Sequence, residues 1–176
     1  MAIPPRNQIT MWYLMWYLYE SVANGRPIIG NAKNIQVVET WRRAVNSRDL
    51  DGVVMSYAPE AHVWSPRLEL VFGPGGIRGR DVIRNQQQVF FDTWPDGIVT
   101  RDEVIATGDR VVLLGQMGGT HSIPYTVPGG ETYPPTGNDA KAELVAVFTV
   151  RNGLIVENLE YYDYLSLAQK VGLIFP

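Results

Sequence analysis

The chain of 176 residues contains no cysteine and only two histidines, His62 and His121. The first absence removes disulfides, thiolate metal sites, iron–sulfur clusters and cysteine nucleophiles together. The second leaves a histidine-built metal centre almost no ligands. No metal and no other cofactor is expected. Positive charge is also scarce: 15 Lys and Arg stand against 18 Asp and Glu, a net charge of −3, with no basic run or stripe. Nothing offsets the charge of a phosphate backbone, so nucleic acid is set aside as a partner. Long apolar runs are missing as well. The aromatic stretch from Met11 to Tyr19 is about nine residues long, far below the roughly 20 that a membrane span requires.

That stretch repeats the tetrapeptide MWYL in tandem, at 11–14 and 15–18. A period of four stacks Trp12 over Trp16 and Leu14 over Leu18 along a helix. Arg6 before it and Ser21-Val22-Ala23 after it resemble a secretory leader, but tyrosines crowd the segment that a leader keeps apolar. Residues 1–32 are therefore read as an aromatic helix extension that covers the domain, a pocket or a partner chain. Asn24-Gly25-Arg26-Pro27 ends the helix. The protein is expected to be cytoplasmic.

What remains is ordinary for one globular domain with its own core: 45% apolar and 19% charged residues. Helical spacing predicts a helix from Asn34 to Ser47, with Val38, Trp41 and Val45 inward and Glu39, Arg42 and Arg43 left for water. A short helix is expected over Leu50–Tyr57, closed by Pro59, then a strand over Ala61–Ser65 and a glycine-rich loop over Phe72–Gly79. A further helix spans Arg80–Trp94. From there the period falls to two. Strands are expected over Ile98–Ala106, Arg110–Met117, Ala142–Val150 and Leu154–Tyr162, with a long Pro/Gly loop at 124–138 and a short helix at Leu165–Val171. Asn152-Gly153 is the pair that a type I′ hairpin turn demands. Helices first and an antiparallel sheet after them indicate an α+β domain, here residues 33–176, and exclude a Rossmann-like alternation.

Several stretches, taken in order, are similar to one family. They are AVNSRDLDGVVMSYAPEAHVWSP (44–66), GIRGRDVI (76–83) with WPD (94–96), Gly119-Thr120-His121, Pro134-Pro135-Thr136-Gly137 and NGLIVENLEYYDYLSLAQKVG (152–172). The chain resembles the SnoaL-like polyketide cyclases, whose cone-shaped fold is shared with ketosteroid isomerase, scytalone dehydratase and nuclear transport factor. The resemblance implies a curved antiparallel sheet wrapped against the N-terminal helices, enclosing a pocket for a small hydrophobic ligand. It also implies catalysis without a cofactor and a homodimer formed through the sheet.

Two side chains are candidates for proton chemistry. His121 falls at the family's GTH histidine and would stabilise charge on a ligand oxygen; the competing reading is a histidine fixed to loop backbone. Asp163 ends a string of aromatics, where loss of water raises a carboxylate's proton affinity; the competing reading is an N-cap for the last helix. Matching Phe148 and Gly153 to the family pattern puts Ala146 at the acid/base position of the aldol-type cyclases, and alanine moves no proton. The Asp–Arg–Asp trio of limonene-epoxide-hydrolase-like enzymes is missing too, since Gly115-Gln116-Met117-Gly118 carries no charge. Trp64, Phe91, Gln116, Phe148 and Tyr161 are candidate pocket walls, with core packing as the alternative for each. Two functions follow: a cofactor-independent cyclase or isomerase acting on a polyketide- or terpenoid-like intermediate, or a non-catalytic ligand-binding or assembly domain that Ala146 favours.

Overall fold

A computed structural model describes residues 31–126 and 132–172. The expected aromatic helix therefore lies outside the described residues. Helix α1 (Ala32–Asn46) starts where the Asn31 side chain accepts from the Lys33 N–H at 3.1 Å. Helix α2 (Leu50–Met55) is capped by Asp49, which accepts from the Gly52 N–H at 2.8 Å. The strand β1 (Tyr57–Trp64) then begins four residues earlier than the sequence suggests and contains Pro59. The proline fits because residues 59 and 60 face solvent in a stretch with no ladder partner. Helix α3 (Pro66–Phe72) lies between the expected strand and the glycine-rich loop, where no element is expected; Pro66 sits in its first turn and Ser65 caps it, two local signals that outweigh its shortness.

After the two-residue strand β2 (Ile77–Arg78) comes helix α4 (Arg80–Thr93). The sheet continues with β3 (Ile98–Val99), β4 (Glu103–Thr107) and the long strand β5 (Arg110–Thr120). The expected Ile98–Ala106 strand is thus two strands, broken at Thr100–Asp102. A small pair, β6 (Tyr125–Thr126) and β7 (Thr132–Tyr133), interrupts the expected loop. Strands β8 (Asp139–Arg151) and β9 (Leu154–Tyr161) form the closing hairpin, with Asn152 at φ 52° and Gly153 at φ 75° as a type I′ turn needs. Helix α5 (Tyr164–Lys170) ends the described chain.

The main sheet runs β2-β1-β9-β8-β5-β3, with β4 also pairing β5; every pair is antiparallel except β1 with β9. It is curved and unclosed, in the α+β cone arrangement expected. One face packs on the helices: Trp41 of α1 meets Phe148 of β8 edge-on at 5.0 Å. Glu39, expected in water, is 8% exposed instead. The Arg42 and Arg43 guanidiniums, hydrogen-bonded to it at 2.7 and 3.1 Å, hold its carboxyl down at about 2. Arg42 and Asn46 in turn bond the Val99 backbone at 3.1, 3.0 and 2.8 Å and so tie α1 to β3. At β5, Gly118 sits at φ +136°, and an added Cβ would fall 2.0 Å from the Ala140 carbonyl oxygen. Only glycine lets the two strands approach there.

Candidate functional site

Between the sheet's inner face and the helices lies a cavity of about 140 Å³. Residues from α1, α4, β1, β5, β8, β9 and α5 line it, and most are apolar or aromatic. Strand register decides which side chains face it. Across β8 and β9, Ala146 pairs with Glu160 and Phe148 with Asn158, and directly opposite residues share a face. Ala146 and Phe148 are fully buried in the core, so Asn158 and Glu160 are aimed inward, and Glu160 reaches the cavity. The position where the family resemblance led to a missing acid/base group thus has a carboxyl directly across the ladder.

Glu160 is the centre of a small polar network. The Asn158 amide donates to Glu160 Oε1 at 2.8 Å and to the Tyr57 hydroxyl oxygen at 3.0 Å. Asn158 itself is 0% exposed. Burial pushes the Glu160 carboxyl up to about 7, with the bond from Asn158 pulling the other way. The side chain keeps some accessible surface, but it lines the cavity, where protein surrounds it. Burial and the charge of Glu160 both push the Tyr57 phenol well above its usual range. Tyr57 therefore stays protonated and can only act as a donor or a neutral acceptor.

Another polar group of the wall, which also includes Ser65, Arg67, Gln86, Gln87 and Thr93, is His121, which is 1% exposed. Asp96 accepts from the Thr120 N–H and hydroxyl at 2.7 and 2.6 Å and fixes the end of β5 beside it. The Thr136 N–H points at His121 Nδ1 over 3.4 Å, with the Thr136 hydroxyl 3.2 Å away. With Nδ1 as acceptor the ring proton belongs on Nε2, which is buried and has no hydrogen-bond partner. Burial lowers the His121 pKa; the Val171 and Ile123 carbonyls favour the charged ring, but neither completes a bond to Nε2. The imidazole stays neutral at pH 7 and offers an N–H. Gln87 Nε2, on another wall residue, is likewise buried without a partner.

Of the residues expected from sequence, His121 alone lines this cavity. Asp163 is exposed and caps α5, accepting from the Ser166 N–H at 2.9 Å. Tyr161, 38% exposed, lies tilted against Trp64 with ring centres 5.2 Å apart on the sheet's outer face, where Trp64 also donates to Glu69. Gln116 spends its amide on Glu143 at 2.7 Å. Phe148 fills the core under Trp41, and Phe91 packs in the core with the Arg48 guanidinium 5.0 Å from its ring centre. These six do not form the cavity wall because they lie on the wrong face, cap a helix or are used up in packing. Glu160, Tyr57 and Asn158 were missed. The alternation of β9 was visible in the sequence, but not the one-residue irregularity that sets its phase.

A family model described as a SnoaL-like domain matches residues 38–158. The chain belongs to the SnoaL-like domain family. Solved structures agree on this fold. IdmH from Streptomyces antibioticus, provisionally named a polyketide cyclase, is 27% identical with a TM-score of 0.67, over 79% of this chain and 98% of that one. AclR from Streptomyces galilaeus, provisionally named a hydroxylase, is 20% identical with a TM-score of 0.67, over 82% and 98%. TsrD from Streptomyces laurentii is 22% identical with a TM-score of 0.66, over 83% and 99%. No curated protein matches. No described helix of this SnoaL-like protein is long and apolar enough to cross a membrane.

Proposed function

We propose that the protein is a cofactor-independent cyclase or isomerase for a small hydrophobic polyketide- or terpenoid-like intermediate, with Glu160 as its acid/base group. The observation that carries the reading is a carboxyl with a pKa near 7 inside an apolar cavity. Near neutral pH Glu160 is present in both its ionised and its protonated form. The carboxylate takes a proton from the carbon beside a ligand carbonyl, and the electron pair moves onto the carbonyl oxygen as an enolate. In ring closure the enolate carbon attacks a second carbonyl, and Glu160 returns the proton to the new alkoxide. In isomerisation the same proton goes back at a different carbon. No electrons leave the ligand, so no oxidant is needed. Donors from the wall stabilise the oxygen that gains charge.

Deuterium uptake by 2-tetralone in D2O, followed by NMR, tests the proton transfer. The wild type is expected to accelerate exchange at the carbons beside the carbonyl, and Glu160→Gln to return it to the buffer rate. A wild-type protein that binds the ketone yet leaves exchange at the buffer rate contradicts the proposal. That result would support the second reading, a ligand-binding or assembly domain, which Ala146 favours. We also propose a homodimer through the outer sheet face, where the half-buried Trp64 lies tilted against the exposed Tyr161.

A further inference from the structure

The cavity wall carries charge of both signs, on different layers of the fold. Among the described lining residues Glu160, on β9 of the sheet, is the one carboxylate, and Arg67, on α3, is the one permanent cation. Arg67 leaves the Glu160 carboxyl alone. Burial raises the proton affinity of Glu160, and the opposing pull comes from the Asn158 amide. A guanidinium against the carboxyl would hold it low instead, as the arginines do at Glu39. Arg67 is directed to the neighbouring helix, where its Nη1–H donates to Gln86 Oε1 of α4 at 3.2 Å.

The helix side of the cavity is a side of donors. Gln86 takes one of the five guanidinium N–H groups and sets the head of Arg67 against α4. Gln87, the next residue of α4, lines the cavity with an Nε2 that is buried without a partner. Ser65, 3% exposed, accepts from the Leu68 N–H at 3.2 Å, which leaves its own hydroxyl proton to donate. Thr93 adds no donor, because its hydroxyl already bonds the Val89 carbonyl at 2.7 Å. A buried amide N–H without an acceptor is unfavourable, and a carboxylate, with two oxygens, can answer an amide and a guanidinium together. The net charge of −3 gives an anion no long-range attraction, so any preference for one comes from these local groups.

We propose that the α3–α4 side of the cavity is a carboxylate subsite, with Arg67 as its specificity-determining residue and Gln87 Nε2–H as a second donor. The ligand class is a hydrophobic monocarboxylic acid, one negative charge for one guanidinium. Gln86 is a positioning residue that aims the guanidinium. An acid group fixed on the helix side decides which carbon of the ligand is presented to Glu160 on the sheet side. The proposal rests on the reading of the cavity as a ligand site and is independent of proton transfer by Glu160.

Calorimetric titration of the full chain with 2-naphthoate and 2-naphthamide tests it, since the two probes share a shape and differ in charge. The wild type is expected to bind the naphthoate about tenfold more tightly. Arg67→Met, which keeps the apolar stem, should bring that ratio to about one or below, and Arg67→Lys should keep part of it. Gln87→Leu should lower it about threefold. Arg84→Met, on the same helix but outside the cavity and paired with Asp51, should leave it unchanged. If Arg67→Met melts too readily to titrate, Gln87→Leu still decides, since an undiminished ratio there contradicts the subsite. No naphthoate binding by the wild type, equal binding of the two probes, a tenfold ratio that survives Arg67→Met, or an equal loss in Arg84→Met would overturn the proposal. Uncharged 2-tetralone reports on Glu160 separately, so failed exchange leaves the naphthoate preference standing, and the reverse holds as well.

Discussion

Glu160 and Asp163 are both carboxylates at the end of β9, three residues apart, and the structure gives them opposite surroundings. Glu160 faces the cavity, bonded to a fully buried amide, with its pKa pushed up to about 7. Asp163 is in solvent and holds the first turn of α5. A string of neighbouring aromatics does not bury a carboxylate. The face of the sheet on which it lands does.

The largest effect should come from reversing the expected roles of the pair. Glu160→Gln is expected to cost about 10²–10⁴ in proton-transfer rate. Asp163→Asn, which keeps a capping oxygen, should change it by less than about twofold. Assays of 2-tetralone exchange on the two proteins separate these outcomes.

Stability against pH sharpens the same contrast. Glu160 binds its proton more tightly folded than unfolded, so its contribution is fully present below its ordinary value of 4.5 and is lost as pH rises through about 7. The loss is on the order of 3 kcal/mol. Urea titrations should show the wild type weakening across that window relative to Glu160→Gln, which should be inactive yet the more stable protein at pH 8. A parallel pH dependence in both proteins would place the carboxyl in water. Asp163→Ala is expected to cost about 1 kcal/mol through the lost cap, seen as a lower melting temperature. The smallest effect belongs to the outer face. Trp64→Ala should leave 2-tetralone exchange within about twofold, the range of a surface change, while a sedimentation experiment on the same variant tests the proposed homodimer, which should dissociate more readily.

The pattern of helices and strands was legible because periodicity, caps and the Asn152-Gly153 turn are local signals. So was His121, through its place after Gly119-Thr120. Glu160 was hidden by register. A regular ladder from the two-residue turn, with Arg151 opposite Leu154, would pair Ala146 with Leu159 and turn Leu159 and Tyr161 inward. Instead Thr149 pairs with Glu157, and the register shifts by one between Thr149 and Val150. That single extra residue exchanges the faces: Glu160 enters the cavity and Tyr161 leaves it. Trp64 follows, since it pairs with Leu159 on the outer side. Glu39 was misplaced for a different reason. It lies on the polar side of α1 by spacing, but three arginines gather around its carboxyl and close it from water.

The central claim is that the Glu160 carboxyl titrates near neutrality because it sits inside the cavity. A ¹³C NMR titration of the glutamate side-chain carboxyls, with Glu160 assigned by its disappearance in Glu160→Gln, measures this directly. The account predicts one resonance with a midpoint at about 7. A Glu160 resonance that titrates with the other glutamates near 4.5 contradicts it.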